Sequence, residues 1–146
     1  MTKKVWNALL SKSQAASNKA SSKVKASKIQ LDFDVARGAR LDSLIEDYHS
    51  QLLTIQKQPQ STQQVQAIRS FISQIHQLKS KNIDQIDKSR KELTEARIKL
   101  GEVEKERLKF NSLLDKEREA IKKSRLRLEA KYQNEQAMIQ FNLKKS

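Results

Sequence analysis

The chain has 146 residues, 30 of them Lys or Arg and 17 Asp or Glu, for a formal net charge of +13. Two Gly, one Pro and no Cys leave too few turn formers for a sandwich, a barrel or a doubly wound α/β fold, and exclude a disulfide framework, a thiolate zinc site or a Cys nucleophile. With 36% hydrophobic and 5% aromatic residues, the chain can fill a narrow seam between helices but not a wide globular interior.

Apolar runs reach only three residues, as at Ala8-Leu9-Leu10, against the ~18 that a membrane span needs. The Lys-, Ser- and Ala-rich start lacks the apolar stretch of a secretory signal. It is free of acids up to Asp32, yet its first Arg is Arg37, whereas transit peptides are Arg-rich. It is expected to belong to the mature protein.

A first helix is predicted over about residues 3–57. Leu41, Ile45, Tyr48, Leu52 and Ile55 recur at alternating spacings of 4 and 3, the seam of a coiled coil. Pro59 interrupts it, because proline has no N–H and disfavours helix at Gln58. Residues 58–61 form a polar tip. Ser61-x-x-Gln64 fits a capping box, and a second helix is predicted over about 62–143. Val65, Ile68, Ile72 and Ile75 resume the alternation, which continues through Ile86, Leu93, Ala96, Leu100, Val103, Phe110, Leu114, Ile121 and Leu128.

The two seams fit each other. If the helices fold back antiparallel about Gln60, Ile55 meets Val65, Leu52 meets Ile68, Tyr48 meets Ile72 and Ile45 meets Ile75. Far from the tip, Leu10 meets Phe110 and Trp6 meets Leu114. One assumption makes both ends apolar. The expected fold class is all-α: two long helices forming an antiparallel coiled-coil hairpin, the second longer and ending in a C-terminal overhang. A single hairpin domain over 1–146 is expected.

In the middle, Leu41 faces Lys79, Gly38 faces Asn82, Asp34 faces Ile86 and Leu31 faces Ser89, a stretch expected to pack loosely. Gly101, opposite Ala16, Ser17 and Ala20, is read as a point of close helix approach. The overhang, roughly 25 residues from about Ala120, carries Ile121, Leu126, Leu128, Tyr132, Met138, Ile139, Phe141 and Leu143 without a partner helix.

The chain has no Gly-rich phosphate loop, metal-ligand cluster or catalytic triad. His49 and His76 lie on different arms with no companion ligands. Glu102, Glu104, Glu106, Asp115, Glu117 and Glu119 alternate with Lys and Arg, as on a solvated flank. No catalytic residue, metal or cofactor is expected, and the chain reads as a non-enzyme. The positive charge is concentrated. Residues 1–31 hold seven Lys and no acid, and Lys122, Lys123, Arg125, Arg127 and Lys131 form a second run; the hairpin brings both towards the end with the termini. A basic prong entering an acidic protein hole is the first reading. Nucleic acid or another anionic surface is the second, because no aromatic residues interleave with the lysines for base stacking.

After the tip, Gln66-Ala67-Ile68-Arg69-Ser70-Phe71-Ile72-Ser73-Gln74-Ile75 carries an aromatic-Ile-x-x-apolar stretch. Glu104-Lys105-Glu106-Arg107-Leu108-Lys109-Phe110 and Glu135-Gln136-Ala137-Met138-Ile139 follow. With the chain length and the two unequal helices, these segments make the sequence similar to FliJ-type proteins of the bacterial flagellar export apparatus. It also resembles YscO-type stalk proteins of related type III secretion systems. The resemblance implies a central stalk similar to the γ-subunit rod of rotary ATPases. Such a stalk inserts in the hexameric export ATPase, promotes its ring assembly and activity, and links it to the membrane export-gate protein. It meets export chaperones in the cytoplasm, at the inner face of the cell membrane. On matching positions the gate-binding residues would be Phe71, Ile75, Leu78 and Asn82. Phe71 lies just off the seam, so its ring is expected to be partly exposed. The ATPase-contacting end would carry Lys3, Lys4, Trp6, Lys12 and Lys19, with Lys122, Lys123, Arg125 and Arg127. The acid-free first 31 residues depart from flagellar members, so flagellar and virulence types both stay open on the sequence.

Overall fold

Lys, Gln, Glu, Leu, Arg and Ala lose little side-chain freedom in a helix, and here a single proline interrupts them. The computed structural model describes residues 2–59 and 62–145, the side chains of Thr2 and Lys3 excepted. Two helices result: α1, Thr2–Ile55, of 54 residues, and α2, Thr62–Lys145, of 84 residues. They pack against each other as an antiparallel hairpin, and the described residues contain no strand. α1 stops two residues before the predicted end. The Gln56 N–H still reaches the Leu52 carbonyl at 3.0 Å, and the Gln58 N–H then tightens onto the Ile55 carbonyl at 2.9 Å. Pro59 has no N–H with which to continue. Gln60 and Ser61, the pivot and the predicted cap, lie outside the described residues.

Two compact units divide the chain, Lys19–Gly101 and Met1–Asn18 with Glu102–Ser146. In the Lys19–Gly101 unit the least exposed positions of α1 run from Ala20 through Leu31 and Leu41 to Ile55. Those of α2 run from Val65 through Ile75 and Leu93 to Leu100. Both sets alternate by 4 and 3. Gly38 lies against Asn82, the pairing that a fold-back about Gln60 demands. Leu41, Ile45 and Ile75 form a buried cluster with Tyr48 packed against it; each such Ile or Leu contributes roughly 1.5–3 kcal/mol. Lys79, opposite Leu41, extends from the seam to pair with Asp42, so its stem covers apolar surface while its charge stays wet.

In the terminal unit Val103 and Leu114 are buried, and the Trp6 ring lies 6.2 Å from that of Phe110, tilted by 42°. From Arg118 onward every described residue of α2 is exposed. Ile121 and Leu128, which the spacing would keep in the seam, are therefore uncovered. A fold-back about Gln60 leaves nothing of α1 to set opposite them.

The middle of the hairpin is not loose, contrary to the expectation from its polar pairs. Gly38 is buried, and a Cβ there would lie 2.6 Å from Asn82 Oδ1. The missing side chain makes room for the Asn82 amide. Gly101 is the opposite case: it is exposed, and a Cβ there would meet nothing within 4 Å, so no close approach depends on it. Gly101→Ala should raise the stability by up to about 1 kcal/mol through helix propensity alone. Gly38→Ala should lower it by roughly 1–3 kcal/mol despite the same propensity gain, because Asn82 must move. Urea unfolding of the two variants reads this directly. Equal shifts in the same direction would remove the packing role given to Gly38.

Candidate partner-binding surfaces

A residue one place before an inward-facing seam position sits on the rim of the seam, half in contact and half in water. Phe71 and Leu78 precede Ile72 and Lys79 in this way. Phe71 is 48% exposed and stacks on Tyr48, with ring centroids 5.8 Å apart and planes 24° from parallel. Tyr48 itself rests on the Leu41–Ile45–Ile75 cluster. One face of the Phe71 ring is thus fixed by the fold and the other is open. Leu78 is 43% exposed, but Ile75 and Asn82 are buried. Of the four residues that the resemblance assigns to the gate, two can touch a partner from the folded hairpin and two hold the seam beneath them. Leu44, 43% exposed, occupies the equivalent rim of α1 because it precedes Ile45. The sequence reading passed over it, although the spacing of Leu41 and Ile45 already places it there.

Beside this rim lies a buried polar cluster that the sequence reading also missed. The Asp34 carboxylate, 3% exposed, accepts from Ser89 Oγ at 2.6 Å and from Gln30 Nε2 at 3.1 Å. Asn82 Nδ2 donates to the Asp34 carbonyl at 2.9 Å, and Gln85 Nε2 donates to Ser89 Oγ at 3.3 Å. The Ser89 hydrogen bond, aided by those of Gln30 and Gln85 and by the Arg37 charge, outweighs burial and holds the Asp34 carboxyl below its ordinary value. A cleft of about 250 Å³ opens here, lined by Asp34, Arg37, Leu78, Lys81, Asn82 and Gln85.

In the terminal unit Glu104 ties the two helices: it accepts from Ser17 Oγ and pairs with Arg107 at 2.8 Å. The Ser17 hydrogen bond and then Arg107 hold its carboxyl below the usual range. Lys4, Lys12, Lys122, Lys123, Arg125 and Arg127 are exposed, and Trp6 is half-buried against Phe110. The side chain of Lys3 lies outside the described residues, and Lys19 belongs to the other unit. Exposed Ile121, Leu128 and Tyr132 share the free part of α2 with Lys122, Lys123, Arg125 and Arg127. His49 and His76 are exposed, and no group of three or more His, Cys, Asp or Glu among the described residues could hold a metal ion. No helix among the described residues is long and apolar enough to cross a membrane.

A thin buried seam, with many large apolar side chains and the basic residues left exposed along its rim and on the free part of α2, defines a helical hairpin with much surface open to partners. The sequence pattern of the family described as the flagellar FliJ protein matches residues 4–146. The chain belongs to that family, whose members are proteins of the flagellar export apparatus and not a known enzyme family. Neither the curated proteins nor the solved structures compared with it give a match.

Proposed function

We propose that the chain is a non-enzymatic central stalk and adaptor of the flagellar export apparatus, working in the cytoplasm at the inner face of the cell membrane. Its terminal unit, with Trp6, Lys3, Lys4, Lys12, Lys122, Lys123, Arg125 and Arg127, enters the hexameric export ATPase and promotes its activity. Lys19, at the edge of the other unit, adds to the same charge. Basic side chains on an exposed helix suit an acidic ring interior through long-range attraction. The rim of the Lys19–Gly101 unit binds the membrane export-gate protein, and the chain meets export chaperones. Phe71 carries this reading. It is a large aromatic side chain held on Tyr48 yet 48% exposed, the profile of an interface anchor.

Phe71→Ala tests it. Gate binding should fall by about 2 kcal/mol or more, roughly thirtyfold, with a matching loss of motility. Melting should fall by less than for a buried Phe, because the fold loses the stacking on Tyr48, about 0.5–1.5 kcal/mol, and the burial of only the covered half of the ring. A collapse of melting in step with binding would make Phe71 a core residue. Unchanged binding would remove the gate contact from this rim.

A further inference from the structure

The cleft beside Leu78 has a committed interior and an uncommitted edge. Inside, the Asp34 carboxylate is taken by Ser89 and Gln30, and the Asn82 amide by the Asp34 carbonyl. At the edge, Arg37 of α1 and Lys81 of α2 are exposed. Neither makes a hydrogen bond or an ion pair among the described residues, although the Arg37 charge reaches Asp34. Two cations therefore stand against one carboxylate whose oxygens are already in use. Phe71 lies two helical turns from Leu78 on the same side of α2, about 10 Å away. On α1, Arg37 and Leu44 precede seam positions Gly38 and Ile45 just as Phe71 and Leu78 precede Ile72 and Lys79. In an antiparallel pair such rim positions of the two helices share one side of the seam.

We infer that this side of the hairpin is a composite groove for a partner segment that carries both apolar side chains and a carboxylate. The apolar side chains lie on Phe71, Leu44 and Leu78, and the Asp or Glu of the segment sits between Arg37 and Lys81. The inference rests on the export-gate reading above. It adds α1 to the surface and a charge requirement to the partner. Charge complementarity selects the occupant: a basic segment would meet two like charges, whereas a carboxylate gains a planar guanidinium fork and an ammonium at once.

The experiment titrates the full-length chain with the cytosolic part of the export-gate protein at low and high salt. The double variant Arg37→Gln with Lys81→Gln should bind roughly tenfold more weakly at low salt and lose most of its salt dependence. Its helicity should be unchanged and its melting should fall only slightly, because both side chains are exposed and the Arg37 charge is the smallest of the contributions that favour the Asp34 carboxylate. Leu44→Ala should weaken binding about fivefold at any salt. The reversal Arg37→Glu with Lys81→Glu should weaken it further, and exchanging the acidic residue of the gate segment for Lys should restore it. Binding that needs Phe71 but ignores Leu44, Arg37 and Lys81 overturns the groove and leaves the gate reading intact. Tighter binding by the reversal variant also overturns it, since the partner is then basic at this point. No binding by the unaltered chain overturns both.

Discussion

Replacing Ile45 and Ile75 together by Asp is expected to unfold the Lys19–Gly101 unit. The two side chains are 9% and 7% exposed and belong to one buried cluster. Removing each apolar side chain sacrifices roughly 2–5 kcal/mol. Each new carboxyl must either be buried as a charge or be held protonated, at several kcal/mol apiece, and two facing carboxylates oppose each other's ionisation. Together these terms exceed the ~5–15 kcal/mol by which a typical domain is stable. Far-UV circular dichroism should show most of the helix signal lost at neutral pH and partly regained in acid, where the carboxyls protonate. A variant with the helicity and melting of the parent would disprove the register. Gate binding would vanish in such a variant whatever the docking site, so the exposed Phe71 is the informative position for function and Ile75 is not.

Asp34→Ala should be the most damaging change at any polar residue of the seam. The substitution takes the acceptor away from Ser89, whose side chain is only 1% exposed and cannot turn to water. Leaving such a donor short of its partner costs about 2 kcal/mol. Asp34→Asn, which keeps the shape and one acceptor oxygen, should lose less. The pH dependence separates this from a simple packing loss. Hydrogen bonds from Ser89, Gln30 and Gln85, with the Arg37 charge, hold the folded carboxyl below its ordinary value of 3.8. As pH falls, the unfolded chain takes up this proton before the folded one. The stabilisation is therefore fully present above the unfolded value and is lost as pH drops through the lower folded one. Urea unfolding should show the gap between parent and Asp34→Ala narrowing below that value of 3.8. A gap that stays constant across the titration would mean that Asp34 contributes shape and not charge.

The cluster also explains why a hairpin with so thin an apolar seam holds one alignment. A polar group in a coiled-coil seam is tolerated only where its partner sits opposite, so it disfavours every shifted alignment. Asp34 meets Ser89 and Asn82 in one register, and Gly38 gives the Asn82 amide its space only there. Sliding either helix by one residue would strand these groups and move the apolar set off the seam.

The sequence by itself determined the two helices, their interruption at Pro59 and the antiparallel register. The reason is that the 4 and 3 spacing of apolar residues maps directly onto one face of a helix and needs no knowledge of the partner. It also determined where the positive charge gathers and which stretch of α2 is left without a partner helix. Only the tertiary structure decided the fate of Asp34, Asn82 and Ser89. The spacing puts these polar side chains in the seam, where they suggest loose packing; only the donors and acceptors that the opposite helix brings within reach remove the cost of burying them. The same holds for the four residues read as the gate stripe. Steps of 4, 3 and 4 swing back and forth about the helix axis, so Phe71 and Leu78 fall on the rim while Ile75 and Asn82 fall in the seam. Leu44 and Arg37 join that rim from a distant part of the chain. Their place beside Phe71 and Leu78 exists only once the two helices are packed in register, because no spacing along α2 can name its neighbours on α1.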